Sequence, residues 1–229
     1  MDNKVLEVFY IRHCHILKTA SDGRHPFDVD VSDLGYKQID LLEKRFEGRS
    51  FDAVLSSPMI RAVCTAAGLC KGLSGNPVIE VMPELAESGA CPGQILEDGR
   101  PGYYRQSLDY LKRYYNNIVL CSDRVYGDEN GNYSSATDEE NDARGKAVIN
   151  YIRNRFSYGQ RVVVVAHGCF AQNFLASALD IPSENFHLSV ENTSVSKVSY
   201  YEDGMTRFSY FNDVSHLRGI LPDSDFTIC

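Results

Sequence analysis

The stretch RVVVVAHGCFAQNFLASAL, residues 161–179, runs from the strongest strand signal in the chain into a helical pattern that begins at Gly168 and extends to Leu179. The turn between them carries His167 and Gly168. Val5–Ile11 shows the same design earlier: a mostly apolar, poorly alternating run that suits a strand buried on both faces, ending on Arg12-His13.

Working outward, strands and helices alternate. Ser32-Asp33-Leu34-Gly35 opens a helix through about Phe46, with Ile39, Leu42 and Phe46 at spacings of three and four. Phe51–Leu55 reads as a second strand, and Ser56-Ser57-Pro58 as a cap-like start to a helix reaching about Leu69. Val78–Met82 is a third strand, and Ala143–Phe156 a helix. Ser194–Tyr201 and Met205–Phe211 read as two strands joined by a Glu202-Asp203-Gly204 turn. This order implies a three-layer α/β/α sandwich around a mostly parallel central sheet. Residues 92–141 interrupt the rhythm with seven tyrosines and a polar acidic run ending Asp138-Glu139-Glu140. They are expected to form a cap inserted within a single domain spanning 1–229; a surface excursion is the plainer alternative.

Composition narrows the function classes. The chain has 229 residues, of which 43% are hydrophobic and 24% charged, the balance of an ordinary globular protein. No window approaches the apolar length of a membrane span, and the N-terminal residues lack a signal-peptide pattern, so a cytoplasmic protein without membrane contact is expected. Seven cysteines, an odd number with no C-x-x-C pair, argue against a disulfide framework or zinc ribbon. A net charge of −8 argues against nucleic-acid binding, and means that an anionic substrate must be held by a local cluster of cations. The oligomeric state is open.

Ligands of open α/β sheets sit outside the carboxyl ends of the strands. The first strand ends at Arg12-His13; the second leads to Ser56-Ser57 and Arg61, the third to Glu84 and Glu87, and the valine strand to His167-Gly168. Each residue alone reads as a loop or solvated group. Their coincidence at equivalent topological positions is what points to a site.

With their spacing, "YIRHC", "LSSPMIRAVCTA", "MPELAES" and "VVVVAHGCFAQNFLASAL" resemble the histidine phosphatase superfamily, the branch with phosphoglycerate mutases and small-molecule phosphatases. "DVDVSDLGYKQIDLL" is similar to the family's helix after the first loop, and "ENTSVSKVSYYEDG" to its closing strands. The resemblance implies that His13 is the nucleophile, taking the phosphoryl group onto a ring nitrogen. Arg12, Arg61 and His167 would surround the phosphoryl oxygens. Glu87 would act as general acid and then base, with Glu84 as the fallback. Thr19 and Ser57 would be further substrate-binding groups, and no metal or organic cofactor is needed. The expected reaction is hydrolysis of a small-molecule phosphate monoester through a phosphohistidine. The alternatives are a phosphoglycerate-type mutase and a catalytically weak phospho-ligand-binding protein.

The chain departs from the family pattern after the Arg-His pair, where Cys14 replaces glycine and His15 replaces glutamate. A side chain at position 14 is expected to shift the loop. Cys14 could be a redox-sensitive thiol beside cations, and His13 with His15 raises a rival metal reading. The stretch after the acid, Ser88–Gly93, lacks the family's mutase pattern. Lys112-Arg113 is the basic pair of the insert, and Lys18, Arg24 and His25 are further candidates to meet a second anionic group or a sugar.

Overall fold

A computed structural model describes residues 5–17, 28–87, 94–95, 101–102, 108–121 and 137–221. Thr19, Lys18, Arg24, His25 and Ser88–Gly93 lie outside them, as do Tyr103, Tyr104, Tyr126 and Tyr133. The element order is β1 (Val5–Arg12), α1 (Asp33–Phe46), β2 (Ala53–Ser56), α2 (Ile60–Gly72), β3 (Ile79–Val81), β4 (Gln94–Ile95), β5 (Pro101–Gly102), α3 (Leu108–Leu111), β6 (Ile118–Leu120), α4 (Asp138–Arg155), β7 (Arg161–Ala166), α5 (Gly168–Leu179), β8 (Val195–Tyr201) and β9 (Thr206–Asp213).

Seven strands form one sheet in the order β6-β3-β2-β7-β1-β8-β9. The pairs from β6 to β1 are parallel, and β8 and β9 close the sheet antiparallel. β7 lies at the centre, and Val162, Val163, Val164 and Val165 are each 0% exposed. Burying a valine completely stabilises a fold by roughly 1.5–3 kcal/mol, which is why an unbroken valine run belongs in the middle strand.

Alternate residues of β7 feed two cores. Val163 and Val165 pack with α1 and α2 through Ile39, Leu42, Val63 and Leu69. Val162 and Val164 pack with α4 and α5 through Val148, Ile152, Phe170 and Phe174. The molecule is the three-layer sandwich expected from the alternation of elements.

Two local readings are corrected. The first is the start of α2, which begins at Ile60 and not at a Ser56-Ser57 cap; Met59 holds the N-cap position without a side-chain bond. Ser57 is instead drawn towards His167. The second concerns 92–141. Ile118–Leu120 pairs in parallel with β3 as the edge strand of the main sheet, and residues 138–141 are the first turn of α4, capped by Thr137. The acidic run Asp138-Glu139-Glu140 thus stands where a helix dipole favours negative charge. A separate two-stranded antiparallel pairing sets Gln94 opposite Gly102 and Ile95 opposite Pro101.

Candidate active site

Strand register brings the distant motifs together. Arg12 lies opposite Ala166 in the β1–β7 pair, and Ser56 opposite Val165 in the β2–β7 pair. The pairing extends one step beyond each strand: His13 N–H donates to the Ala166 carbonyl and Ser57 N–H to the Val165 carbonyl, both at 2.9 Å. His13, Ser57 and His167 are therefore delivered to one edge of the sheet, with 4%, 0% and 0% exposure.

The His13 ring is fixed by a local bond. Its Nδ1 lies 2.7 Å from the carbonyl of Cys14, so Nδ1–H donates and Nε2 carries the free lone pair. Burial, followed by the charge of Arg61 and less strongly those of Arg12 and His15, holds the imidazole well below its ordinary pKa. The ring is neutral at pH 7, the state a nitrogen nucleophile requires. Burial is the larger cause, and the neighbouring cations add to it.

The backbone behind it is tied from three sides. Thr193, at φ 57, donates its N–H to the carbonyls of Arg12 and His13, and Asn192 Nδ2 donates to the His13 carbonyl at 2.9 Å. Cys14 N–H donates to Thr65 Oγ1 at 3.0 Å, and His15 N–H to Gln38 Oε1 at 2.8 Å.

Three cationic or donor side chains surround this point. Arg12 directs Nη1 to the Val190 carbonyl at 2.5 Å, while its buried Nε has no hydrogen-bond partner. A side chain at position 168 would press its Cβ to 3.2 Å from that Nε, so glycine there lets α5 start against the guanidinium. Arg61 is 4% exposed, and its Nε is also without a partner. The His167 ring centroid is 5.1 Å from that of His13; its Nε2 meets Ser57 Oγ, and its Nδ1 is buried without a partner. Burial, then Arg61 and His13, lower the His167 pKa well below its usual value.

Glu87 approaches from the end of the third strand. Its Oε1 accepts from Phe170 N–H, in the first turn of α5, at 2.9 Å. Glu87 lines a cavity of about 840 Å³ together with Arg12, Gly168 and Cys169. Glu84 is fully buried and is not among the residues lining that cavity. Sequence reasoning missed Arg144, which is 1% exposed. It donates to the carbonyls of Glu84 and Ala86 at 3.0 and 2.6 Å and lies 4.4 Å over the Phe170 ring, bracing the segment that carries Glu87.

Cys14 does not behave as a redox sensor. Its thiol is 0% exposed among core residues of α1 and α2, and burial pushes its pKa up to about 11. A reactive thiol needs the opposite shift. Its side chain has a place in the core, and His13 next to it keeps the strand pairing. Among the described residues no three His, Cys, Asp or Glu side chains are grouped to hold a metal ion. No helix among them is long and apolar enough to cross a membrane.

The family description "Histidine phosphatase superfamily (branch 1)" matches residues 8–214. Phosphoglycerate mutase-like protein 1 of Arabidopsis thaliana is 25% identical over 171 residues, which is 63% of this chain; the chain spans 58% of that relative's length. Among solved structures, phosphoserine phosphatase of Entamoeba histolytica in complex with 3-phosphoglyceric acid superposes with a TM-score of 0.58. It is 17% identical, over 93% of this chain and 99% of that one. A mycobacterial glucosyl-3-phosphoglycerate phosphatase gives a TM-score of 0.61 and 18% identity over 91% and 99% of the two chains. At these identities the structural likeness establishes the fold.

Proposed function

The chain belongs to the histidine phosphatase superfamily, and we propose that it is a metal-independent phosphatase acting on a small-molecule phosphate monoester through a phosphohistidine. The observation that carries this reading is a set of three buried nitrogens without partners, Arg12 Nε, Arg61 Nε and His167 Nδ1, on the three residues whose charge or ring adjoins a neutral His13 with its Nε2 lone pair unused. Buried donors left unpaired are costly, and the three together match the needs of a tetrahedral anion.

His13 Nε2 attacks phosphorus, forming the N–P bond as the bond to the ester oxygen breaks. Glu87, protonated, gives its proton to the departing alkoxide, so an alcohol leaves. Water then attacks the phosphohistidine, Glu87 takes its proton, and the N–P electron pair returns to His13. Arg12, Arg61 and His167 stabilise charge on the transferring group, the main task in phosphoryl transfer. Each such donor typically lowers the barrier by about 3–4 kcal/mol.

The mutase alternative is disfavoured by the described residues of the cavity that adjoins Arg12: its lining there carries Glu87, Asp138, Glu139, Asp142 and Glu184 against the one arginine among them, Arg12. A bisphosphorylated intermediate would meet repulsion there. A binding-only protein would fit a catalytic loop distorted by the side chain at position 14, but Cys14 packs into the core.

The test is phosphate release from p-nitrophenyl phosphate, with a chelator present, for wild type and His13→Ala. Release that disappears in the variant supports the reading. Equal rates in the two proteins overturn the assignment of His13.

A further inference from the structure

Helix α2 is buried along its first eleven residues, from Ile60 to Cys70. Its first N–H groups therefore need acceptors other than water. Met59 supplies no side-chain acceptor. The acceptor comes from far upstream: both carboxylate oxygens of Asp28 lie 3.0 Å from Ile60 N. The same carboxylate stands 3.7 Å from Arg61 Nη1, with side-chain exposures of 3% for Asp28 and 5% for Arg61.

That separation has a consequence for the guanidinium. A contact of 3.7 Å between charges attracts strongly in a buried setting but is too long for a hydrogen bond. Asp28 thus restrains Arg61 without consuming its N–H donors, and Arg61 Nε remains without a partner. From the other side, Thr65 Oγ1 donates to the Arg61 carbonyl at 2.7 Å while accepting from Cys14 N–H, which couples the helix to the residue after His13.

We propose that Asp28 is a positioning residue for Arg61: its carboxylate fixes the first turn of α2 and holds the guanidinium beside His13 with its donors open to an anion. The proposal rests on the reading of this site as a phosphoryl pocket. Burial pushes the Asp28 pKa up to about 6 while Ile60 N–H and Arg61 pull it down, so the group is an anion at neutral pH.

The test is a double-mutant cycle on p-nitrophenyl phosphate hydrolysis with Asp28→Asn, Arg61→Ala and both together, each checked for folding by thermal melting. Asparagine retains an oxygen to accept from Ile60 N–H and removes the charge. In the wild-type background Asp28→Asn is expected to lower kcat/KM about 10- to 100-fold, the scale of a misplaced catalytic group. In the Arg61→Ala background it should change kcat/KM by less than about threefold, because a residue acting through Arg61 has nothing left to position. Equal losses in both backgrounds, or none in wild type, overturn the proposal. If Asp28→Asn does not fold, Asp28→Ser, which keeps a hydroxyl oxygen and removes the charge, takes its place under the same criteria. A wild type without phosphatase activity, or an Arg61→Ala variant as active as wild type, would instead count against the phosphoryl-pocket reading itself.

Discussion

Ser57 Oγ lies 2.6 Å from His167 Nε2, and both side chains are wholly buried. Ser57 Oγ also accepts from Met59 N–H at 3.3 Å, which leaves the hydroxyl proton for the imidazole. A neutral His167 that accepts at Nε2 carries its single proton on Nδ1, the nitrogen without a protein partner. The serine thus sets the tautomer that makes His167 a donor.

Replacing Ser57 with alanine should lower kcat/KM about fivefold, the equivalent of one hydrogen bond of about 1 kcal/mol, and should also lower the melting temperature, because His167 Nε2 and Met59 N–H lose a buried partner. Steady-state kinetics on a single monoester checks it. An unchanged kcat/KM would separate Ser57 from the work of His167.

Glu87→Gln probes proton donation through the leaving group. For an alkyl phosphate, whose alkoxide leaves poorly, kcat/KM should fall about 10²–10⁴-fold. For p-nitrophenyl phosphate, whose phenolate leaves without a proton, the loss should be much smaller. Comparing the two substrates in wild type and variant reads this directly; equal losses on both would assign Glu87 a role in binding or folding instead.

The carboxylates among the described residues of the cavity wall predict a substrate preference. At matched leaving-group reactivity, a monoester without a second anionic group should show a higher kcat/KM than one carrying a carboxylate or second phosphate. The gap should narrow as salt screens the field. A paired assay of glycerol phosphate and phosphoglycerate at low and high ionic strength measures it, and a clear preference for phosphoglycerate would contradict the electrostatic argument.

Acid should destabilise the fold. His13, His167 and His216 all have depressed pKa values, the last lowered to about 4, chiefly through burial. Their unfolded forms take up protons near pH 6.5 while the folded forms do not, so stability is lost as pH falls below that value. Asp28 opposes this. Its folded pKa of about 6 exceeds the unfolded one, so over about pH 4–6 the folded state binds the extra proton. Three groups against one leave a net loss of stability as the pH falls from about 6.5 towards 5. Chemical denaturation at a series of pH values tests the sign.

The strand ends were legible because long apolar runs announce buried parallel strands, and such strands present ligands at their carboxyl edge. Arg12-His13, Ser57 with Arg61, Glu84 with Glu87, and His167 fall at those edges once the runs are ordered, while the preference for Glu87 over Glu84 rests on the family resemblance. What stayed hidden acts at a distance. Asp28 caps a helix that begins 32 residues later, and no local pattern links it to Ile60. Ser57-Pro58 imitates a cap because the residue types match, yet the serine has a better partner 110 positions away. Arg144 reads as one more charge on a solvated helix until tertiary packing buries it against Phe170. Ile118–Leu120 is three residues long with two exposed, too brief to show a period, and it becomes a strand only through β3.

The most direct measurement is to quench the enzyme during turnover, under conditions that preserve phosphoramidates, and locate the phosphoryl group by peptide mass spectrometry. The account predicts one added phosphoryl group on the peptide containing His13, lost on His13→Ala substitution. Turnover with the label on another residue, or with none trapped even when hydrolysis of the intermediate is slowed by Glu87→Gln, would contradict it.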